Sequence, residues 1–158
     1  MELYRTENSQ NFHLRVESEK SALNVVLSWF DNSIGNIIPD RTLWECKLAL
    51  TEGFTNTVCH AHRDLPKHTL IELNLILTDS YLLMEIWDQG VFFDLEAELK
   101  SLKENPPDPL KDEHRRGLIF MKQLTDELEY SRDTQERNCL KMLKKLDFCN
   151  SSFNQSSS

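Results

Sequence analysis

Between Thr69 and Asp88 the apolar residues fall on alternate positions. They are Ile71, Leu73, Leu75 and Leu77, then Leu82, Met84 and Ile86 beyond Thr78-Asp79-Ser80. Period two on both sides of a turn-forming triplet commits this segment to an antiparallel hairpin with one buried face. Phe12, Leu14 and Val16, alternating with His13, Arg15 and Glu17, predict another half-buried strand. The covering layer is helical. Ser18 is placed to cap a helix over about 19–31, with Glu19 in its first turn and Leu23, Val26, Leu27 and Phe30 on one face. Residues 31–39 read as a connection. A second helix is expected from Asp40 to about His62, burying Leu43, Cys46, Leu50, Phe54 and Ala61. Gly53 inside it costs about 1 kcal/mol relative to alanine, which points to close packing there.

The segment 95–116 has mixed charge and holds Pro106, Pro107 and Pro109, three of the five prolines of the chain. A short helix over Leu95–Leu102 followed by a long loop fits it, and loops of this length often act as binding lids. Gly117 then opens a third helical stretch through Leu118, Met121, Leu124 and Leu128. Leu128–Ser131 and Asn138–Leu146 are expected as closing strands. The order β-α-α-β-β-(loop)-α-β-β predicts an α+β two-layer sandwich, a mixed and mostly antiparallel sheet with helices on one face. The expected organisation is an N-terminal extension over 1–10, one domain over 11–147 and a disordered serine-rich tail over 148–158.

With 18 Lys and Arg against 26 Asp and Glu, the net charge of −8 and the lack of a basic run argue against a nucleic-acid partner. No apolar stretch approaches the ~18–20 residues of a membrane span. The polar stretch Met1–Gln10 is no secretory signal, so a cytoplasmic location is expected. Cys46, Cys59, Cys139 and Cys149 form no C-x-x-C pair and read as idle thiols in a reducing compartment, not as a metal site.

Three constellations carry chemistry. Glu52, Asn56 and His60 are four apart, and each step of four turns about 400°, so they share one helical stripe. A carboxylate and an amide oxygen on one stripe suit a hard cation and a proton transfer. Asp88 ends the core-facing row of the hairpin and precedes Gln89-Gly90. A carboxylate there needs a specific donor, and Gly90 would let a ligand approach the backbone. Arg115-Arg116-Gly117-Leu118 stands at a loop-to-helix junction, where backbone N–H groups and two arginines suit an anion.

Taken in order, Thr51-Glu52-Gly53-Phe54-Thr55-Asn56 with His60, Asp88-Gln89-Gly90-Val91-Phe92-Phe93-Asp94, and Arg116-Gly117-Leu118 resemble the nucleotide-binding boxes of the GHKL (histidine kinase/gyrase-like) ATPase superfamily. The likeness is nearest to the anti-sigma-factor serine/threonine protein kinases of bacterial partner-switching systems. Phe12–Val16 and Gly117–Glu127 look like that branch too, and the resemblance runs from about residue 10 to 147. It departs from the family in three places. Arg115 stands where a glycine is usual, the lid is rich in proline instead of glycine, and Glu136-Arg137-Asn138-Cys139 replaces a common Gly-Thr.

The resemblance implies that Asn56 ligates the Mg²⁺ bridging the phosphates of ATP. Glu52 would be the general base for a serine or threonine hydroxyl on an anti-anti-sigma factor. Asp88 would accept from the adenine amino group, with Gly90 leaving room. Arg116 and the backbone around Gly117 would hold phosphate oxygens under a lid over about 95–116, and Thr55, His60 and Leu118 complete the nucleotide-contacting set. A sigma factor as a second partner, a homodimer and a role in transcription regulation are implied as well. The alternative is a nucleotide-binding switch that sequesters a sigma factor or other regulator with little or no kinase activity.

Overall fold

A computed structural model describes residues 8–108 and 110–148. Most of the expected N-terminal extension, Pro109, Cys149 and nearly all of the expected disordered tail therefore lie outside the described residues. Five strands form one antiparallel sheet: β1 (Gln10–Glu17), β2 (Leu70–Leu77), β3 (Tyr81–Asp88), β4 (Glu127–Arg132) and β5 (Asn138–Lys145), in the order β1-β2-β3-β5-β4. Four helices accompany it: α1 (Leu23–Ile34), α2 (Asp40–Asn56), α3 (Leu95–Glu104) and α4 (Glu113–Leu124). No helix among the described residues is long and apolar enough to cross a membrane.

The hairpin is as the alternation predicts. Leu73 pairs with Ile86, Leu75 with Met84 and Leu77 with Leu82, all six on the covered face. Val26, Phe30 and Ile34 of α1 and Cys46, Leu50 and Phe54 of α2 meet that face and are essentially sealed from solvent. Each large apolar side chain so buried contributes roughly 1.5–3 kcal/mol.

The helix boundaries differ from the sequence reading in instructive ways. Ser18 makes no cap: its backbone N–H is shared between the carbonyls of Lys67 and Thr69, each at 3.0 Å, and the chain passes through a tight turn at Lys20–Ala22 before α1 begins. The bend is thus fixed by the segment leading into β2. Helix α1 runs on to Ile34 because that side chain completes the apolar row at i+4 from Phe30. Helix α2 ends at Asn56, and the chain continues as a wider π-helical turn, Thr57–Ala61, closed by a 2.8 Å bond from the His62 N–H to the Thr57 carbonyl. Helix α4 starts at Glu113, four residues before Gly117.

Gly53 sits where α2 crosses β3 and β5. A Cβ there would stand 2.9 Å from Ile86 Cδ1, 3.1 Å from Leu140 Cδ2 and 3.2 Å from Met142 Cε. The bare backbone lets α2 lie low on the sheet. We expect Gly53→Val to destabilise the chain by roughly 1–3 kcal/mol through overpacking, read as a lower urea midpoint at unchanged slope. Unchanged stability would show that α2 does not depend on this close approach.

Candidate active site

The end of β3 carries Asp88 inward, and it is only 2% exposed. Such a carboxylate persists only with donors, and three are supplied. The Gly90 N–H and Asn138 Nδ2 donate to Oδ1, both at 2.8 Å, and the Tyr130 hydroxyl donates to Oδ2 at 2.9 Å. Strand register delivers them: Asp88 pairs directly with Asn138 on β5, and Tyr130 of β4 pairs with Leu140 of β5. The buried imidazole of His62 accepts from the Gln89 N–H through Nε2 at 3.0 Å. Burial lowers its pKa, outweighing the opposite pull of Asp88, so the ring is neutral and carries its proton on Nδ1. Gly90 is required by a close approach: a Cβ there would collide with the carbonyl of Ala61, so the π-helical turn can press on the strand end. The neighbour that approaches Gly90 is this backbone.

Helix α2 brings Glu52 and Asn56 to the same end of the sheet, one turn apart. Helix α4 packs on them through Gly117, where a Cβ would stand 2.6 Å from Glu52 Oε2 and 3.7 Å from Asn56 Oδ1. Burial raises the Glu52 pKa; Arg116 opposes that rise and Glu113 adds to it. Asn56 Oδ1 lies 3.1 Å from His114 Nδ1, and the His114 ring rests on that of His60 with centroids 4.2 Å apart. Both histidines have lowered pKa values, chiefly from burial.

A cavity of about 250 Å³ joins these groups, with Asn56, His60, Asp88, His114, Leu118 and Tyr130 on its wall. It would take a heterocyclic base; whole small-molecule sites run larger, at roughly 300–1,000 Å³. A larger hollow of about 470 Å³ between α3 and α4 is lined by Leu99, Leu102, Ile119 and lysines, and contains none of the box residues. The box residues gather at the smaller one.

Of the sequence-predicted residues, Asn56, His60, Asp88 and Leu118 reach the cavity. Glu52 and Gly117 meet beside it, while Gly90 packs behind Asp88. Thr55 is half-buried and not on the cavity wall, and Arg116 acts electrostatically on Glu52. The anion site expected at a helix start is displaced, because Arg115, Arg116 and Gly117 lie inside α4. The Arg116 N–H is already bonded to the Asp112 carbonyl at 3.0 Å, and Arg115 Nη2 reaches back to the Asn105 carbonyl at 3.1 Å. Sequence reasoning missed Tyr130, Asn138, His62 and His114. Asn138 had a signal, since it lies in the segment that replaces the usual Gly-Thr; the others had none.

An antiparallel sheet with a paired aspartate at a strand end, roofed by a helix bearing glutamate and asparagine one turn apart, defines a histidine kinase-like ATP-binding fold. The chain belongs to the histidine kinase-like ATPase domain family, whose sequence model matches residues 7–144. Its fold is similar to that of the RsbU and RsbW domains of Rv1364c from Mycobacterium tuberculosis, with a TM-score of 0.60 at 14% identity, covering 87% of this chain and 32% of that one. The chain thus spans about a third of the length of that solved chain. Among curated proteins, nothing matches.

The raised pKa of Glu52 has a sign that stability measurements can read. Between the ordinary glutamate range and the higher folded value, the folded state holds the extra proton, so this group makes stability fall as pH rises through that interval. Glu52→Gln should therefore be more stable than the parent above the folded pKa. The gain should vanish when pH drops below the ordinary range. A stability difference that does not vary with pH would mean that Glu52 is not desolvated against α4.

Proposed function

We propose that the chain is an ATP-dependent serine/threonine protein kinase of the anti-sigma-factor type, acting on an anti-anti-sigma partner and regulating transcription by partner switching. The observation that carries this reading is the convergence of Asp88 and Asn56 on one cavity, with Glu52 at its side. Asp88 lines the cavity from the sheet, and its Oδ2, which takes one donor where Oδ1 takes two, accepts from the amino group of the base. Asn56 Oδ1 is an oxygen donor suited to Mg²⁺, with the Glu52 carboxylate one turn away, so the donor set fits a hard cation. When bound, that ion would neutralise charge on the phosphates. Glu52, already made more basic by burial, accepts the proton of the protein hydroxyl as that oxygen attacks the γ-phosphorus of ATP and ADP leaves. Gly117 permits α4 to hold the carboxylate in place. Homodimerisation and a sigma factor as second partner belong to the proposal on the family resemblance.

One contact favours the alternative of a nucleotide-responsive switch with little transfer activity. The His114 imidazole occupies the Asn56 oxygen that a cation would need. In this arrangement the His114 side chain must leave Asn56 before that oxygen is available. We expect His114→Ala to bind Mg²⁺-ATP several-fold more tightly than the parent in calorimetry, since one competing bond of about 1 kcal/mol is removed. Equal affinities would mean that His114 exerts no hold on the site.

Incubation with labelled ATP, Mg²⁺ and candidate anti-anti-sigma proteins, followed by phosphosite mapping, tests the main reading. It predicts label on a partner serine or threonine and a loss of about 10²–10⁴ in transfer rate for Glu52→Gln. Transfer by that variant at the parent rate would remove Glu52 as the base. Stable association with no label would favour the switch.

A further inference from the structure

Asp88 is more fully committed than a base-reading carboxylate needs to be. An ionised carboxylate offers about four lone-pair directions. Oδ1 spends two of them, on the Gly90 N–H and on Asn138 Nδ2. Oδ2 spends one on the Tyr130 hydroxyl. Of the donors, only Tyr130 reaches the cavity wall; Asn138 stands behind Asp88, with no exposed surface. The Asn138 amide also donates to the Gly90 carbonyl at 2.9 Å. Turning it over would set its oxygen against two acceptors, so the network fixes its orientation. The Tyr130 ring is held in turn by stacking on Phe93 and Phe92, with centroids 4.7 and 5.3 Å away.

We propose that Asn138 and Tyr130 are positioning residues that set base selectivity by leaving Asp88 a single free acceptor direction, on Oδ2, toward the cavity. The inference rests on the nucleotide reading above and adds to it a reason for choosing adenine over guanine. An adenine amino group needs one acceptor. Guanine presents N1–H and its 2-amino group side by side, and pairing both takes two acceptors, usually the two oxygens of one carboxylate. Here Oδ1 is turned inward and saturated. A guanine against this wall leaves one N–H buried without a partner, which disfavours it by roughly tenfold or more in affinity. The hydroxyl of Tyr130 does not replace the missing acceptor at Oδ1, because it stands on the Oδ2 side and its proton already points at Asp88.

The test is the ratio of ATP to GTP affinity, measured by calorimetry with Mg²⁺ on the full chain and on Tyr130→Phe and Asn138→Leu. The parent should favour ATP by roughly tenfold or more. Tyr130→Phe keeps the stacked ring and frees a second direction on Oδ2; Asn138→Leu removes a bond that holds Oδ1 inward, so the carboxylate is free to turn that oxygen to the cavity. Each should lower the ATP/GTP ratio about fivefold, mainly by improving GTP. Thermal unfolding of each variant identifies any that does not fold, and Tyr130→Phe then carries the comparison alone. A loss shared equally by both nucleotides is what a merely structural role gives, and would overturn the proposal. A parent that binds ATP and GTP alike would overturn it while leaving nucleotide binding intact. A parent that binds neither would overturn the nucleotide reading itself.

Discussion

The buried carboxylate of Asp88 is the constraint around which the site is organised. It ends a strand whose inward residues are all apolar, so its oxygens need donors fixed in advance. The donors come from three places: the backbone just after β3, the middle of β4 and the first residue of β5. Meeting that need ties the β3–β5 and β4–β5 registers to one another, because a slip by one residue would turn Asn138 or Tyr130 to the other face. It also fixes the chain at Gly90, which must turn back and lie flat against Ala61. Fold and site are therefore coupled through a few hydrogen bonds.

A second constraint acts from above. Two glycines let helices approach more closely than ordinary side chains permit, Gly53 toward the sheet and Gly117 toward α2. The first lowers α2 so that Asn56 and Asp88 line one cavity. The second presses α4 onto Glu52 and carries His114 to Asn56. The same closeness that makes Glu52 more basic also covers the Asn56 oxygen, the one proposed to hold a cation. Arg115, also on α4, ties that helix back to the Asn105 carbonyl.

Much of this was legible in the sequence, because period-two and period-3.6 patterns report directly on burial. Leu73, Leu75, Met84 and Ile86 specified the hairpin and its inner face; Val26, Phe30, Cys46, Leu50 and Phe54 specified the helices that cover it. Asp88 was legible as a polar residue in an apolar row, and Gly53 as a glycine in a helix. What pattern could not supply was anything set by a distant partner. The bond from Ser18 to the Lys67 and Thr69 carbonyls moved a helix start, and the widened turn over Thr57–Ala61 ended α2 at Asn56, short of His60. Tyr130 is unremarkable until register sets it on Asp88, and Asn138 is marked only by the segment that replaces the usual Gly-Thr. The start of α4 at Glu113 turned an expected phosphate-binding helix end into a helix interior.

The central claim is that Asp88 reads a nucleotide base inside this cavity. Calorimetric titration of Mg²⁺-ATP into the parent and into Asp88→Asn, with folding of both confirmed by thermal unfolding, tests it most directly. The asparagine either turns an N–H toward the base amino group or meets the Gly90 and Asn138 donors with its own. The account predicts saturable binding by the parent and loss of most of it in the variant. Equal affinity in the two proteins would contradict it.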